Sequence, residues 1–361
     1  MLSLLRYLAG RLFFAVITLF LLSIVLYGII YLSPLDMRVS LFMPGNVPLR
    51  ILLDEEAYGR LRDRIIEENH LNDSFSTQYG IWMRNFVTHN WGYSPSLRQE
   101  VLPALLDRSP ATAELTIYSM LLIIPLTLFS GIQAARKKDK PTDLLIRGLS
   151  MAAGAIPLFI MAFFLMTVFY INLKWSSLTG LDMGLLQSNG SFHPYTGLMT
   201  VDGLLNGRMD ITLTAIRRLM LPVLTITASQ WALLTRITRS ATIEELQKDY
   251  VLAARSRGAS THLIIGRHVL KNTLNVFLAN TALSAASIVT GVFIVERIFL
   301  WPGVSDILFR TGSFVPDASA VIGFTIYSVI VVLFIMLVLD LLQASINPLI
   351  SEGMIGGSDG Q

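Results

Sequence analysis

The chain has 361 residues, of which 53% are hydrophobic and 15% charged, with a mean hydropathy of +0.59. Soluble domains carry roughly 25% charged residues, so the composition argues against a soluble globular class. The net charge of +3 is too mild, and too little interleaved with aromatics, for a nucleic-acid binder. The absence of cysteine excludes disulfides, thiolate catalysis and cysteine metal sites.

A bilayer core is about 30 Å thick and takes about 20 apolar helical residues to cross. Six charge-free apolar blocks meet that need, at 12–35, 115–135, 148–173, 219–235, 272–295 and 318–339. They predict an all-α polytopic membrane protein with six transmembrane helices. The first block follows "MLSLLRYLAGRLFF". Its apolar run exceeds the roughly 7–15 residues of a signal-peptide core and no small-residue cleavage site follows, so it reads as a retained span.

Between the first two blocks, 36–114 reads as an extracytoplasmic helical segment. Residues 54–70 carry Tyr58, Leu61 and Ile65 on one helical stripe. Residues 77–94 carry aromatics at helix-like spacing, which suits packing against a neighbour or the membrane interface, or a ligand. A seventh charge-free stretch, 183–201, is too rich in Gly, Ser, Asn and Pro for a lipid-exposed helix and reads as part of an outer loop, 174–218. The core is then 115–347, with five transmembrane helices and a cytoplasmic loop at 241–271. The glycine-rich end, 348–361, reads as a flexible cytoplasmic tail.

Short loops rich in Lys and Arg stay on the cytoplasmic side. The 136–147 connection holds Arg136, Lys137, Lys138, Lys140 and Arg147 against two aspartates. The 236–271 connection holds Arg236, Arg239, Lys248, Arg255, Arg257, Arg267 and Lys271, and the N-terminus holds Arg6 and Arg11. This predicts both termini inside, in a multi-pass membrane protein. The outer segments are then 36–114, 174–218 and 296–317.

No phosphate-binding loop, nucleophile elbow or paired histidine metal spacing is present, so nothing in the chain points to an enzyme, a cofactor or a metal. Mid-span carboxylates, the mark of ion-coupled transport, are missing. Glu114, Glu296 and Asp340 stand at block edges, where snorkelling or capping explains them. Gln230 lies inside the fourth span and either lines a pathway or hydrogen-bonds a neighbouring helix. Pro125, Pro157 and Pro222 can kink or break their helices. Glu296, Trp301, Pro302 and Gly303 mark a tight turn after the fifth span, which suits an outer gate or a plain capping turn.

The cytoplasmic stretch "DYVLAARSRGASTHLIIGRHVLKNTL" (249–274) stands between two spans. Ile243, Leu246, Tyr250 and Ala253–Ala254 fall on or near one stripe of a helix over 243–257. Glu244, Glu245, Lys248 and Asp249 lie elsewhere, and Gly258 ends the helix. A second, basic helix over 260–272 leads into the fifth span. Such an element is either a coupling helix for a soluble partner or a solvated amphipathic loop.

These residues resemble the coupling loop of ABC-importer permeases of the dipeptide/oligopeptide type, with D-Y-[VI]-x-x-A-R-[AS]-[KR]-G followed by R-H-[AV]-L-[KR]-N. Asp249, Tyr250, Ala254, Arg255, Arg257, Gly258, Arg267, His268, Leu270 and Asn272 match. Of the general importer pattern E-A-A-x-x-x-G, Ala253, Ala254 and Gly258 are kept and Leu252 replaces the Glu. "RSPATAELTIYS" (108–119), "GAIPLFIMAFFL" (154–165), "RRLMLPVLTI" (217–226), "VERIFLWPGVSDIL" (295–308) and "DLLQASINPLI" (340–350) resemble further segments of that family.

The resemblance implies a permease subunit of a prokaryotic cytoplasmic (inner) membrane that forms the translocation path with a second homologous permease. Two cytoplasmic ATPases would supply ATP and Mg chemistry, an extracytoplasmic binding protein would deliver a di- or oligopeptide, and the path would work by alternating access. Asp249, Tyr250, Ala253, Ala254, Arg255, Arg257 and Gly258 would couple to the ATPases. A nickel chelate or an oligosaccharide is an alternative cargo, an ion-coupled secondary transporter the alternative class, and a purely structural scaffold would leave the coupling loop unexplained.

Overall fold

The computed structural model describes residues 2–44, 47–174, 192–310 and 317–346. The predicted flexible tail 348–361, residues 175–191 of the predicted outer loop and residues 311–316 of the last predicted outer segment lie outside the described residues. In chain order, helix α1 (Leu2–Tyr31) is followed by the short α2 (Leu35–Ser40) and α3 (Leu49–Leu53). Next come α4 (Glu55–Glu68), α5 (Phe75–Val87) and a small hairpin of β1 (Tyr93–Ser94) with β2 (Gln99–Glu100). Then follow α6 (Val101–Arg136), α7 (Pro141–Ala155) and α8 (Leu158–Leu165), the last running on as a wide π turn over Met166–Asn172. The second half holds α9 (Met199–Leu205), α10 (Met209–Leu246), α11 (Asp249–Ser256) and α12 (Thr261–Ile264), which continues as a π turn over Ile265–Val269 into α13 (Leu270–Leu283). It ends with α14 (Ala285–Ile298), α15 (Ser305–Arg310) and α16 (Ala318–Ile346).

Among the described residues, four helices are long and apolar enough to cross a membrane: Leu8–Tyr31 of α1, α6, α10 and α16. Two bent pairs bring the number to six, if each pair is one span. They are α7 with Leu158–Asn172, bent by 102°, and Thr261–Leu283 with α14, bent by 56°. The third and fifth spans, expected as single helices, are therefore broken. The first break follows from Pro157, which disfavours helical backbone in the residue before it, and Ile156 is extended at φ −89°, ψ 120°. The second break falls at Ser284, whose Oγ donates to the Asn280 carbonyl at 2.9 Å, a back-bond of the kind that often accompanies a bend. Pro125 and Pro222 break nothing; they sit inside α6 and α10.

The chain forms two compact units. One comprises Ala113–Trp301 with the ends up to Leu12 and from Val332; the other comprises Phe13–Thr112 and Pro302–Val331. In the second, Asp54 caps α4, accepting from Glu56 N and Ala57 N at 3.1 Å each, and Ile65 is buried where the sequence stripe put it. The aromatics of α5 form a stacked ladder, Phe75 on Tyr79, Trp82 on Phe86 and Phe86 on Trp91, with Tyr27 of α1 against Trp82 at 5.4 Å. The helix predicted over 77–94 stops at Val87, because His89 and Gly92 take positive φ and the chain enters the hairpin. Asp317 ties that hairpin to the start of α16: it accepts from Ser94 Oγ at 2.6 Å, from Ser96 Oγ, and from Ala320 N at 3.0 Å.

In the first unit α10 is central and packs on α7, α8, α9, α13 and α14. Without a hydrophobic drive between helices in lipid, close backbone approach and polar bonds hold such bundles. At the α6–α10 contact a Cβ on Gly131 would stand 2.6 Å from Thr238 Cβ. Ser130 Oγ lies 3.0 Å from Thr235 Oγ1 and accepts from Trp231 Nε1 at 2.9 Å. Asp143 of α7 is buried and takes two bonds of 2.7 Å from Arg239 of α10. Arg11 of α1 pairs with Asp340 of α16 at 3.2 Å. Glu114 is buried and accepts from Thr200 N at 2.7 Å and Thr200 Oγ1 at 2.6 Å, so it caps α9.

Candidate functional site

The second basic connection folds as a short helix set between two long ones. α10 ends at Leu246; Gln247 closes it and Lys248 is extended at φ −71°, ψ 151°. α11 then begins at Asp249, with an acid in its first turn and Arg255 in its last, the order that complements the helix dipole. Its end is a Schellman turn: Gly258 N donates to Arg255 O at 2.9 Å and Ala259 N to Ala254 O at 3.1 Å. Gly258 has φ +80°, the left-handed conformation that this turn requires.

One face of α11 is fixed. Val251 and Ala254 are buried against Ile264 and Val269, with Leu246, Tyr250 and Ala259 at the edge of the cluster. Beside it lies a polar clasp. The Glu245 carboxylate, on the last turn of α10, is buried and accepts from Lys248 Nζ, from the Tyr250 hydroxyl and from Asn272 Nδ2 at 2.9 Å. Asn272 belongs to α13, so one carboxylate joins the ends of α10, α11 and α13. Burial, and then the bond to Glu245, push the Tyr250 hydroxyl pKa above its ordinary value. The bond to Glu245 raises the Lys248 ammonium as well. Both groups therefore keep their protons through neutral pH, and the contribution of Lys248 is lost only as the pH climbs through its raised value. The opposite face of α11, with Leu252, Ala253, Arg255 and Ser256, is exposed.

The predicted coupling residues are thus divided. Tyr250 and Ala254 anchor the helix; Asp249, Ala253, Arg255, Arg257 and Gly258 face outward. The single stripe expected over 243–257 is corrected, because the break at Gln247–Lys248 resets the helical phase. Ala253 leaves the anchored side and Glu245, expected off the stripe, enters it. Glu245 and Lys248 were the residues missed. Glu245 stands five positions before Tyr250 and a helical stripe does not connect them.

The candidate path residues lie on α10, on α14 and in the turn after α14. Gln230 is buried and donates to Ser287 Oγ at 3.4 Å, a bond between the fourth and fifth spans. Glu296 is buried, and its carbonyl accepts from Trp301 N at 2.8 Å, closing the turn at Leu300, whose φ is +51°. Trp301 packs at the edge of the core that includes Leu115, Phe277 and Val295. Pro302 is exposed and Gly303 buried.

The family model for the binding-protein-dependent transport system inner membrane component matches residues 109–352, most of the chain. The chain is 28% identical to the dipeptide transport system permease protein of Alkalihalophilus pseudofirmus, over 95% of this chain and 98% of the relative. It is 29% identical to the di/tripeptide transport system permease protein of Pseudomonas aeruginosa, over 85% of this chain and 90% of the relative. It is also 29% identical to the putrescine export system permease protein of Escherichia coli, over 74% and 83%. With its apolar spanning helices and this match, the chain belongs to the inner membrane components of binding-protein-dependent transport systems, the permeases of ABC transporters.

Proposed function

We propose that the chain is one of two permease subunits of an ATP-driven importer of di- and oligopeptides. It forms the translocation path with a second, homologous permease, and two cytoplasmic ATPases drive both by alternating access. The basic connections face the cytoplasm, as do both termini, and the outer segments receive a substrate-binding protein. α11 is the coupling helix. The observation that carries this reading is its two-faced construction: one side is bound to the ends of two long helices through Glu245, while the other presents Leu252, Ala253 and two arginines to solvent. A push on that exposed face reaches α10 and α13 together. The dipeptide and di/tripeptide names of two relatives with wide coverage support a peptide cargo.

Gentle purification of the tagged chain from its native membrane, with mass spectrometry of what accompanies it, tests the assembly. A second permease with one or two ATPases is the expected result; a chain that stays alone after mild crosslinking overturns it. Uptake in vesicles should be competed by dipeptides and unaffected by putrescine. Gly258 tests the lever. A Cβ there meets open space, so alanine carries only the backbone cost of positive φ, about 1–2 kcal/mol, and should transport at reduced rate. Gly258→Glu adds a carboxylate on the docking side and should abolish uptake while the chain stays in the membrane. Unchanged uptake in Gly258→Glu would remove the docking role.

A further inference from the structure

An open cleft of about 590 Å³ lies between α7 and α10, lined among others by Arg147, Ser150, Met151, Leu233, Arg236 and Arg239. Its lining runs over residues 146–155 of α7 and 229–239 of α10, and the arginines mark the end nearer the basic segments. Arg147 is in the second turn of α7, just after Lys137, Lys138 and Lys140. Arg236 stands ten residues before the end of α10 at Leu246, about 15 Å at the helical rise.

The three guanidiniums are not equivalent. Arg239 is held by Asp143 through two bonds of 2.7 Å. Asp139 adds to the field at Arg239, and Arg147 adds to that at Asp143. Among the described residues, neither Arg147 nor Arg236 forms an ion pair within 4.0 Å. Three cations thus meet two carboxylates, and the surplus falls on the half-buried Arg147 and the exposed Arg236. Uncompensated charge on a spanning helix is costly, and an anion seated there relieves it. Of the cleft's apolar lining, Met151 and Leu233 are exposed, and Leu145 and Leu149 are exposed nearby on α7. Unpaired cations beside exposed apolar side chains fit an amphiphile, with its charged head at the arginines and its hydrocarbon along the apolar residues. Basic pockets between spanning helices take anionic headgroups in this way.

We propose that this cleft binds the headgroup of an anionic phospholipid, its phosphate between Arg147 and Arg236 and its acyl chains along Leu149, Met151 and Leu233. Only the choice of leaflet, the inner one, rests on the orientation proposed above. The lipid would wedge α7 against the helix that leads to the coupling element, so its binding would set how freely the two move.

The test uses the full chain with whatever subunits co-purify, delipidated and titrated with phosphatidylglycerol, phosphatidylethanolamine or inorganic phosphate under native mass spectrometry. Phosphatidylglycerol should be retained as a discrete adduct. Arg147→Gln with Arg236→Gln should weaken it about 30-fold, from the worth of two basic side chains at a membrane surface. Arg147→Lys with Arg236→Lys, which keeps the charge, should retain binding and serves as the folding control. Arg60→Gln with Arg64→Gln, an equal change of net charge on α4, should leave binding as it is. The proposal is overturned if the glutamine pair binds phosphatidylglycerol like the wild type, or if phosphatidylethanolamine binds equally well. Inorganic phosphate that displaces the lipid would make it a free-anion site. Efficient crosslinking of an Ala232→Cys chain to a co-purifying subunit would mean that a protein helix fills the cleft. None of these readouts depends on transport, so failure here is distinct from failure of the permease reading.

Discussion

Glu245→Gln is expected to loosen α11 from both long helices while leaving the bundle folded. The native carboxylate accepts from an ammonium, a phenol and an amide at once. Glutamine keeps the shape but loses the charge, and its NH2 group would face donors. Hydrogen bonds to a charged group contribute about 1.5–3 kcal/mol, against about 1 for neutral ones. The loss is therefore read locally: amide hydrogen exchange across 249–257 should accelerate by roughly ten- to a hundredfold, with exchange in the middle of α10 unchanged. In the assembled transporter the same variant should hydrolyse ATP with little uptake. Glu245→Asp, which keeps the charge at a shorter reach, should fall between. Native protection of α11 in the glutamine variant would show that apolar packing alone holds the helix, and the clasp would lose its role.

Asp143→Ala should be the most destabilising single change in the first unit. It strands Arg239 beside α7 with two donors unanswered where a buried carboxylate stood. Removing one partner of a buried pair costs about 3–5 kcal/mol, and the partial exposure of Arg239 places this case near 3. Removing both partners is different, since no charge is then left behind. Asp143→Ala with Arg239→Met should recover most of the loss. Thermal unfolding of the detergent-solubilised chain, followed for both single variants and the double, checks the cycle. Equal melting of Asp143→Ala and wild type would show that water or lipid replaces the carboxylate at no cost.

The sequence revealed what depends on long apolar runs or on one residue's backbone. The spans are of the first kind. Gly258 is of the second, since few residues but glycine hold φ +80° at a helix end. Pro157 was flagged among three prolines, and only it breaks a helix; a proline's effect depends on whether neighbours satisfy the freed carbonyls, which the residue itself does not encode. Ser284 carried no signal, because a serine back-bond forms in straight and bent helices alike. The clasp was illegible for a related reason. Glu245 and Tyr250 stand on opposite sides of a two-residue break, and periodicity carries no information across a break. The hairpin at 93–100 is too short to show strand alternation.

The 102° bend has a consequence for the count of crossings. Two basic connections flank the segment made of α7, α8 and α10: one precedes Pro141 and the other follows Leu246. Both can lie on one face of the membrane only if the chain between them crosses an even number of times. α10 supplies one crossing, so the bent pair must supply the other. A re-entrant excursion at Pro157, returning to its own side, would leave an odd total and put Arg255 and Arg257 on the opposite face from Lys137 and Lys138. On the orientation proposed above, with both connections in the cytoplasm, the pair makes a net passage despite its corner. A span that turns a corner travels partly along the membrane plane, and its two limbs can change their angle without either end of the chain changing sides.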